Sequence, residues 1–171
     1  KLNLTQFPCF EVDRVEVNRC WSYAALIGAR GSAIVHLPRE LKSFHADISL
    51  ESEYLCRCEQ AADWKDRNTA AGPLEAKWHP GSSRDEHLVI LFGDNTLRVY
   101  DAKCPSYALQ YIHLRNKRIS SSYSLDDVEM QIVSFDFGKR VKKGGEYLWP
   151  VYALTIAGDV ISVLTDISSF R

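Results

Sequence analysis

Three stretches of the chain share a strand, turn and strand pattern that recurs at a fixed interval. They are residues 23–37, 87–101 and 151–165, and they align without gaps. In that alignment Val35, Val99 and Val163 occupy one column and lie 64 residues apart. A period of this length is too long for helical-pair or leucine-rich repeats and is close to the length of a four-stranded propeller blade with its loops.

The residues within these stretches have the pattern of buried β-structure. In the second strand of the middle hairpin, Leu97 and Val99 alternate with Arg98 and Tyr100, as the two-residue period of a strand requires. The first strand, residues 88–92, is apolar throughout. A continuous apolar strand is typical of a strand that neighbouring sheets cover on both faces.

Additional strand-like runs surround the hairpins. Those that precede the three hairpins are residues 12–17, 74–78 and 131–137. Residues 108–114 are expected to form the outer fourth strand of the middle unit, and residues 53–58 are a weaker candidate for that strand in the first unit. Only residues 39–49 have the composition of a short helix, and the pattern there is poor.

The sequence therefore predicts an all-β protein. We expect a β-propeller segment of roughly three four-stranded antiparallel blades of WD-like shape, in units of about residues 10–60, 73–114 and 128–171. An antiparallel sandwich is the alternative, although its turns recur every 8 to 12 residues or so. Because propellers close with four or more blades, the chain is expected to be part of a longer propeller or to be completed by another chain.

Composition narrows the class of protein without identifying a partner. The formal net charge is -1, so the chain has no overall attraction to nucleic acid or anionic membranes. No apolar run reaches the length of a membrane span, and residues 1–10 lack the zones of a signal peptide. No membrane insertion is expected. Five cysteines at irregular spacing favour reduced thiols in the cytosol or nucleus over a disulfide framework.

Chemical motifs give little support for an enzyme or a cofactor-binding protein. The histidines are scattered, no phosphate-binding glycine loop occurs, and Cys56 and Cys58 lack the second pair that structural zinc sites use. Ser82 lies in a Gly-Ser-Ser turn with no base close in sequence. No catalytic, cofactor-binding or metal-binding residue is therefore assigned. A hydrolase or nucleic-acid binder with a loop site stays open as a third hypothesis.

Two sequence features are candidates for a binding rim. Trp78 and His79 precede Pro80, which should end a strand, and packing of Trp78 between blades is favoured over exposure. The sharper feature is a basic loop. Its cations, the candidate partner contacts, are Lys139, Arg140, Lys142 and Lys143.

The basic loop has two interpretations. Four cations in five residues suit RNA phosphates or an acidic partner. A solvated loop between strands is favoured, because no aromatic stacking platform is seen beside the charges and acidic residues occur nearby at 125–129. Direct RNA binding is not expected.

The residues around the middle hairpin resemble a known family. The stretch KWHPGSSRDEHLVILFGDNTLRVYD, residues 77–101, is similar to a stretch of the 88-kDa nucleoporin family, which is related to yeast's 82-kDa nucleoporin. FEVDRVEVN and ALIGARGSAIVHLPREL resemble that family's preceding blade, and VSFDFG and PVYALTIAGDVISVLTDIS resemble the following one. The similarity runs from about Phe7 through three successive blades of the family's amino-terminal propeller.

The resemblance implies a non-enzymatic scaffold at the cytoplasmic face of the nuclear pore complex. In that family the propeller binds the self-cleaving domain of an FG-repeat nucleoporin and supports mRNA and protein export. Residues 39–72 and 115–128 and the basic loop depart from the family pattern, so no contact residue carries over. The alternative function is a WD-like interaction module of another cytosolic or nuclear complex.

Overall fold

The computed structural model describes residues 1–38, 53–61, 71–114 and 130–165. In this part of the chain the regular structure consists of β-strands, and no helix is long and apolar enough to cross a membrane. The strands are β1 (Leu2–Leu4), β2 (Arg14–Val17), β3 (Tyr23–Gly28), β4 (Gly31–His36), β5 (Tyr54–Cys56), β6 (Cys58–Ala61), β7 (Pro73–Trp78), β8 (His87–Phe92), β9 (Thr96–Asp101), β10 (Gln110–His113), β11 (Ile132–Phe137), β12 (Val141–Lys143), β13 (Glu146–Thr155) and β14 (Val160–Thr165).

Three four-stranded antiparallel sheets contain most of these strands. The first has the order β2-β3-β4-β6 and the second the order β7-β8-β9-β10. In the third, β11 and β12 pair with successive parts of one edge of β13, and β14 pairs with the other edge. The prediction of an all-β chain built from four-stranded antiparallel units is confirmed.

The middle strand β8 is buried on both faces, as its apolar sequence predicted. Leu88, Ile90 and Phe92 pack into a core shared with the first sheet. The alternate residues Val89 and Leu91 pack into a second core, shared with the third sheet. The middle sheet therefore lies between the other two and joins their cores.

The outer face of the first sheet is covered by a short parallel pair, β1 and β5. This arrangement corrects the prediction for residues 53–58. Only residues 54–56 of that run form a strand, and they pair with β1, whereas the fourth strand of the first sheet is β6. Alternation of apolar residues did not distinguish the two strands, because Cys56 and Cys58 both face the same core. The possible helix at 39–49 lies outside the described residues.

The outer face of the third sheet is exposed and partly apolar. Side chains alternate along β13, so Val151 and Ala153 are buried toward the middle sheet while Tyr152 and Leu154 are exposed. Val160 on β14 pairs with Leu154 and is 66% exposed. The two end faces of the stack thus differ, since one is covered by β1 and β5 and the other is open in the described part of the chain.

The fixed 64-residue step is wrong by one residue in several strands. Ala25 and Val89 occupy equivalent positions 64 residues apart, but their cross-strand partners, Ile34 and Val99, are 65 apart. The extra residue lies in the turn of the second hairpin. From the second hairpin to the third the step is 63, as comparison of the β8–β9 and β13–β14 pairings shows. A one-residue shift reverses the face that a side chain occupies, so the aligned valines do not share a face.

The turn of the middle hairpin is held by its own side chains. Only Asn95 has a positive φ, of 60°, so the expectation that Gly93 and Asp94 also need one is wrong. Asp94 accepts hydrogen bonds from Thr96 and from Arg98, whose guanidinium lies 3.9 Å from the centre of the Phe92 ring. Burial opposes ionisation of Asp94, but the hydrogen bonds from Thr96 and the charge of Arg98 hold its pKa below the usual value.

The stacked arrangement predicts opposite outcomes for two valine substitutions. Val89→Asp places an unpaired charge in the core between the second and third sheets and should lower the free energy of unfolding by roughly 3–5 kcal/mol. Val160→Asp, on the exposed face of the third sheet, should change it by no more than about 0.5 kcal/mol. Urea denaturation of the two variants measures the difference. Equal losses would contradict the assignment of buried and open faces.

Candidate partner-binding surface

The loops that join the first and second strands of each sheet lie at one rim of the stack. In the first sheet this loop is residues 18–22, and the buried side chain of Asn18 organises it. The Asn18 Oδ1 atom accepts hydrogen bonds from the backbone N–H groups of Ser22 and Tyr23, at 2.8 and 2.9 Å. Its Nδ2 donates to the carbonyl of Asp85 in the second sheet's loop, at 2.8 Å. One asparagine therefore fixes its own loop and joins it to the next.

The seam between the first and second sheets contains further polar links. The Asp85 carboxylate accepts a hydrogen bond from the backbone N–H of Cys20 at 2.7 Å. The Trp78 indole donates to the carbonyl of Glu16 at 2.9 Å and stacks on Tyr23. Packing of Trp78 between blades is thus confirmed. Because these bonds join neighbouring loops, the rim is held as one surface.

The second loop, residues 79–86, contains a serine and histidine pair that the sequence did not predict. Ser82 Oγ lies 2.9 Å from His87 Nδ1, so a base does lie close to this serine. The same oxygen accepts the backbone N–H of Glu86 at 3.0 Å, and Ser82 is 7% exposed. Burial lowers the pKa of His87, while the Asp101 carboxylate opposes that shift. The pair closes a turn in this buried position.

His79 fills the seam between the second and third sheets. Its ring is buried and contacts Phe137 and Trp149 edge-on, at centroid distances of 4.9 and 5.8 Å. Its Nδ1 accepts a hydrogen bond from the backbone N–H of Gly81. A Cβ at Gly81 would collide with the Trp149 indole, so the close approach of this loop to the third sheet requires glycine.

The predicted basic loop is a β-hairpin. Lys139 and Arg140 precede β12, and Lys142 and Lys143 lie within it, paired with the start of β13. The prediction of a loop is therefore wrong, although the four cations are exposed and close together as it required. Gly144 and Gly145 have φ values of 61° and 90°, which suits the two-residue turn that glycine pairs favour in hairpins.

An aromatic ring does accompany the basic residues. The Arg140 guanidinium lies 4.1 Å from the centre of the Tyr147 ring, and the Lys142 ammonium lies 5.9 Å from it. Tyr147 is half-exposed. The expectation that no aromatic platform lies beside these charges is wrong. The glycine pair was the available signal, because a two-residue turn at 144–145 places Lys142 and Tyr147 opposite each other on one face.

The cysteines occupy core and surface positions. Cys56 and Cys58 are buried in the core under β1 and β5, and burial raises the pKa of both thiols. Cys9, Cys20 and Cys104 are exposed, and all five are free thiols. In the described ranges no cluster of three or more metal-ligating side chains occurs.

Comparison with known proteins identifies the family. The sequence pattern of Nup88, a nuclear pore component, matches residues 1–171. The chain belongs to the Nup88 family. This result confirms the resemblance carried by the hairpin and its flanking residues, and it makes the chain a component of the nuclear pore.

A solved structure shares the fold of this Nup88-family chain. It is a chain of the Chaetomium thermophilum heterotrimeric Nup82 NTD-Nup159 TAIL-Nup145N APD complex, with a TM-score of 0.65 and 14% sequence identity. The match covers 89% of the present chain and 31% of the other, so the present chain spans about a third of the protein it matches. At this identity the likeness shows the fold alone.

The buried histidine in the second seam predicts a loss of stability in mild acid. Burial, followed by the nearby His87, lowers the pKa of His79 to about 4 from 6.5. The folded state therefore binds fewer protons than the unfolded state between these values, and stability falls as the pH falls through 6.5 toward 4. From pH 7 to pH 5 this group alone should remove about 2 kcal/mol from the free energy of unfolding.

Urea denaturation at both pH values measures this effect. His79→Asn, which keeps an acceptor for Gly81, should lose about 2 kcal/mol less than the unaltered chain over the same interval. His113→Asn, at an exposed position on β10, is the control and should keep the original pH dependence. An unchanged pH dependence in His79→Asn would show that burial of this ring does not set the acid sensitivity.

Proposed function

We propose that this chain is a non-enzymatic docking scaffold of the nuclear pore that binds other nucleoporins at the cytoplasmic face and supports mRNA and protein export. The observation that carries the proposal is the basic hairpin at the rim of a propeller-type nucleoporin fold. The polar side chains at the rim, such as Asn18, Asp85 and Ser82, close turns and join sheets. Their roles suit a rigid scaffold.

The basic hairpin is the proposed partner contact. Its cations are Lys139, Arg140, Lys142 and Lys143, and none of them forms an ion pair with an acidic side chain in the part of the chain that the structure describes. The acidic residues at 125–129 lie outside that part. Tyr147 holds Arg140 and Lys142 in place, so less side-chain entropy is lost when an acidic surface binds.

The proposed partner is the self-cleaving domain of an FG-repeat nucleoporin. Support comes from the related crystal structure, in which the Nup82 NTD is found with the Nup159 TAIL and the Nup145N APD. The basic hairpin, which differs from the family pattern, would then adjust how this chain recognises an acidic patch on such a domain. A propeller rim that presents loops from successive blades suits this type of contact.

The open face of the third sheet fits a further blade. Val89 and Leu91 of the middle sheet, which are buried against the third, correspond to Tyr152 and Leu154 after the 63-residue shift. These two side chains are apolar in character although they are exposed. We infer that a fourth sheet of the same repeat covers them in the assembled propeller, as the third sheet covers the second.

Charge reversal at the basic hairpin tests the docking proposal. Replacing all four cations with Glu should weaken binding of the purified self-cleaving domain about 30-fold, since exposed ion pairs contribute roughly 0.5 kcal/mol each and 1.4 kcal/mol corresponds to tenfold. Lys142→Glu alone should weaken it by a few fold. Isothermal titration calorimetry at two salt concentrations measures both, and the loss should shrink at high salt.

Arg30→Glu is the matched control, because Arg30 is an exposed cation in the turn between β3 and β4, at the opposite rim. Its binding should stay within about twofold of the unaltered chain. Unchanged affinity in the fourfold variant would rule out the hairpin as the contact. Salt-dependent binding of single-stranded RNA that the fourfold variant loses would replace the protein partner with RNA. Immunogold labelling confined to the nuclear side of the pore would contradict the cytoplasmic assignment.

A further inference from the structure

Trp21 has an unusual backbone conformation and an exposed side chain. Its φ is 57°, in the left-handed region that a bulky residue rarely adopts. Its side chain nevertheless lies largely in solvent, and the residue is 56% exposed. A strained backbone is normally compensated by packing of the side chain it positions. Here the indole is presented outward at the rim.

The surrounding loop enforces this conformation. The Trp21 backbone N–H donates to the carbonyl of Asn18 at 3.0 Å, and the backbone N–H groups on either side of Trp21 bind the side chains of Asp85 and Asn18. With Asn18 buried and bonded to the next sheet, the loop has little freedom to relax. Trp21 is therefore a pre-ordered aromatic group, the type of residue that dominates the binding energy of protein interfaces.

A polar cleft of about 430 Å³ adjoins this loop, at the seam between the first and second sheets. The next residue after Trp21 is one of those that line it. The lining side chains include Ser22, Tyr23, His36, Arg84, Glu86 and Lys103. Residues from the first-strand loop, from the end of β4 and from the segment after β9 thus converge on one opening.

The charges in the cleft leave capacity for an anion. Lys103 Nζ pairs with Glu86 at 2.8 Å, while Arg84 forms no ion pair among the described residues. Two cations therefore face one carboxylate. The nearby carboxylates of Asp85 and Asp101 each accept a backbone N–H, from Cys20 and Lys103 respectively.

His36 adds a polar atom without a partner. Its Nε2 is buried and has no hydrogen-bond partner in the described part of the chain. The ring packs edge-on against Tyr23, which also lines the cleft, at a centroid distance of 5.0 Å. A buried polar atom that lacks a partner is costly, and a ligand in the cleft could satisfy it.

We infer that Trp21 and this cleft form a second docking site, for an extended peptide segment of another protein. The segment places an apolar side chain on the Trp21 indole and a carboxylate between Arg84 and Lys103. The inference rests on the proposed scaffold role but uses a different seam from the basic hairpin. The two sites can therefore fail or succeed independently.

The probe is a capped pentapeptide, acetyl-Leu-Glu-Leu-Glu-Leu-amide, titrated into the isotope-labelled protein. Its binding should shift the NMR signals of the Trp21 indole N–H and of the Ser22 and Lys103 amides. The isosteric peptide with Gln in place of Glu should bind at least tenfold more weakly. Absence of any shift with the Glu peptide at about 5 mM, or equal affinity for the two peptides, would overturn the proposal.

Trp21→Gly distinguishes a docking role from a structural one. Glycine accepts a positive φ without strain, so this variant should be at least as stable as the original chain while binding the peptide at least tenfold more weakly. Trp21→Asn, which also tolerates that φ, should behave in the same way. A loss of stability with unchanged peptide affinity in both variants would show that Trp21 serves the fold alone.

Two charge variants complete the test. Arg84→Gln should weaken the Glu peptide about tenfold and leave the Gln peptide unaffected, which a general loss of folding would not do. Lys142→Glu, in the basic hairpin, should leave peptide binding unchanged. If Lys142→Glu weakens the peptide as much as Arg84→Gln does, the peptide binds the hairpin and the cleft is not the site.

Discussion

The burial of β8 on both faces is the constraint on which the rest of the structure depends. Leu88 and Ile90 need the first sheet to exclude water from them, and Val89 and Leu91 need the third. Neither requirement can be met by a two-layer arrangement around a single core. The strand therefore fixes the order of the three sheets and places the loops between first and second strands at the same rim.

The polar groups at the seams convert this stacking into a defined geometry. Apolar contacts are non-directional, so they permit small sliding of one sheet over another. The Asn18 and Asp85 loops are bonded to each other, and Asn95 Oδ1 accepts the backbone N–H of Ile132 at 2.8 Å. Glu75 likewise accepts the N–H of Phe135. These directional bonds join each sheet to the next and hold the rim at fixed spacing.

Sequence reasoning predicted the apolar stacking well and the rim less well. The continuous apolar run in β8 has few other interpretations, so its burial and the sheet order could be derived. Single-residue changes in turn length leave the apolar pattern almost intact, which is why the 64-residue step was in error. Trp21 gave no signal, because its positive φ is imposed by Asn18 and by Asp85, 64 residues further along the chain. The Tyr147 platform was predictable from the Gly144 and Gly145 turn but was missed.

The two candidate surfaces would act through different physics. The basic hairpin acts at long range, because several unpaired cations attract an acidic partner before contact and thereby raise the association rate. Trp21 acts only on contact, where desolvation of a fixed aromatic group slows dissociation. The hairpin belongs to the third sheet and Trp21 to the first, so a partner that touches both must span the rim of the middle sheet. Because β8 and the seam bonds fix that separation, the stack can select such a partner by its dimensions as well as by its charge.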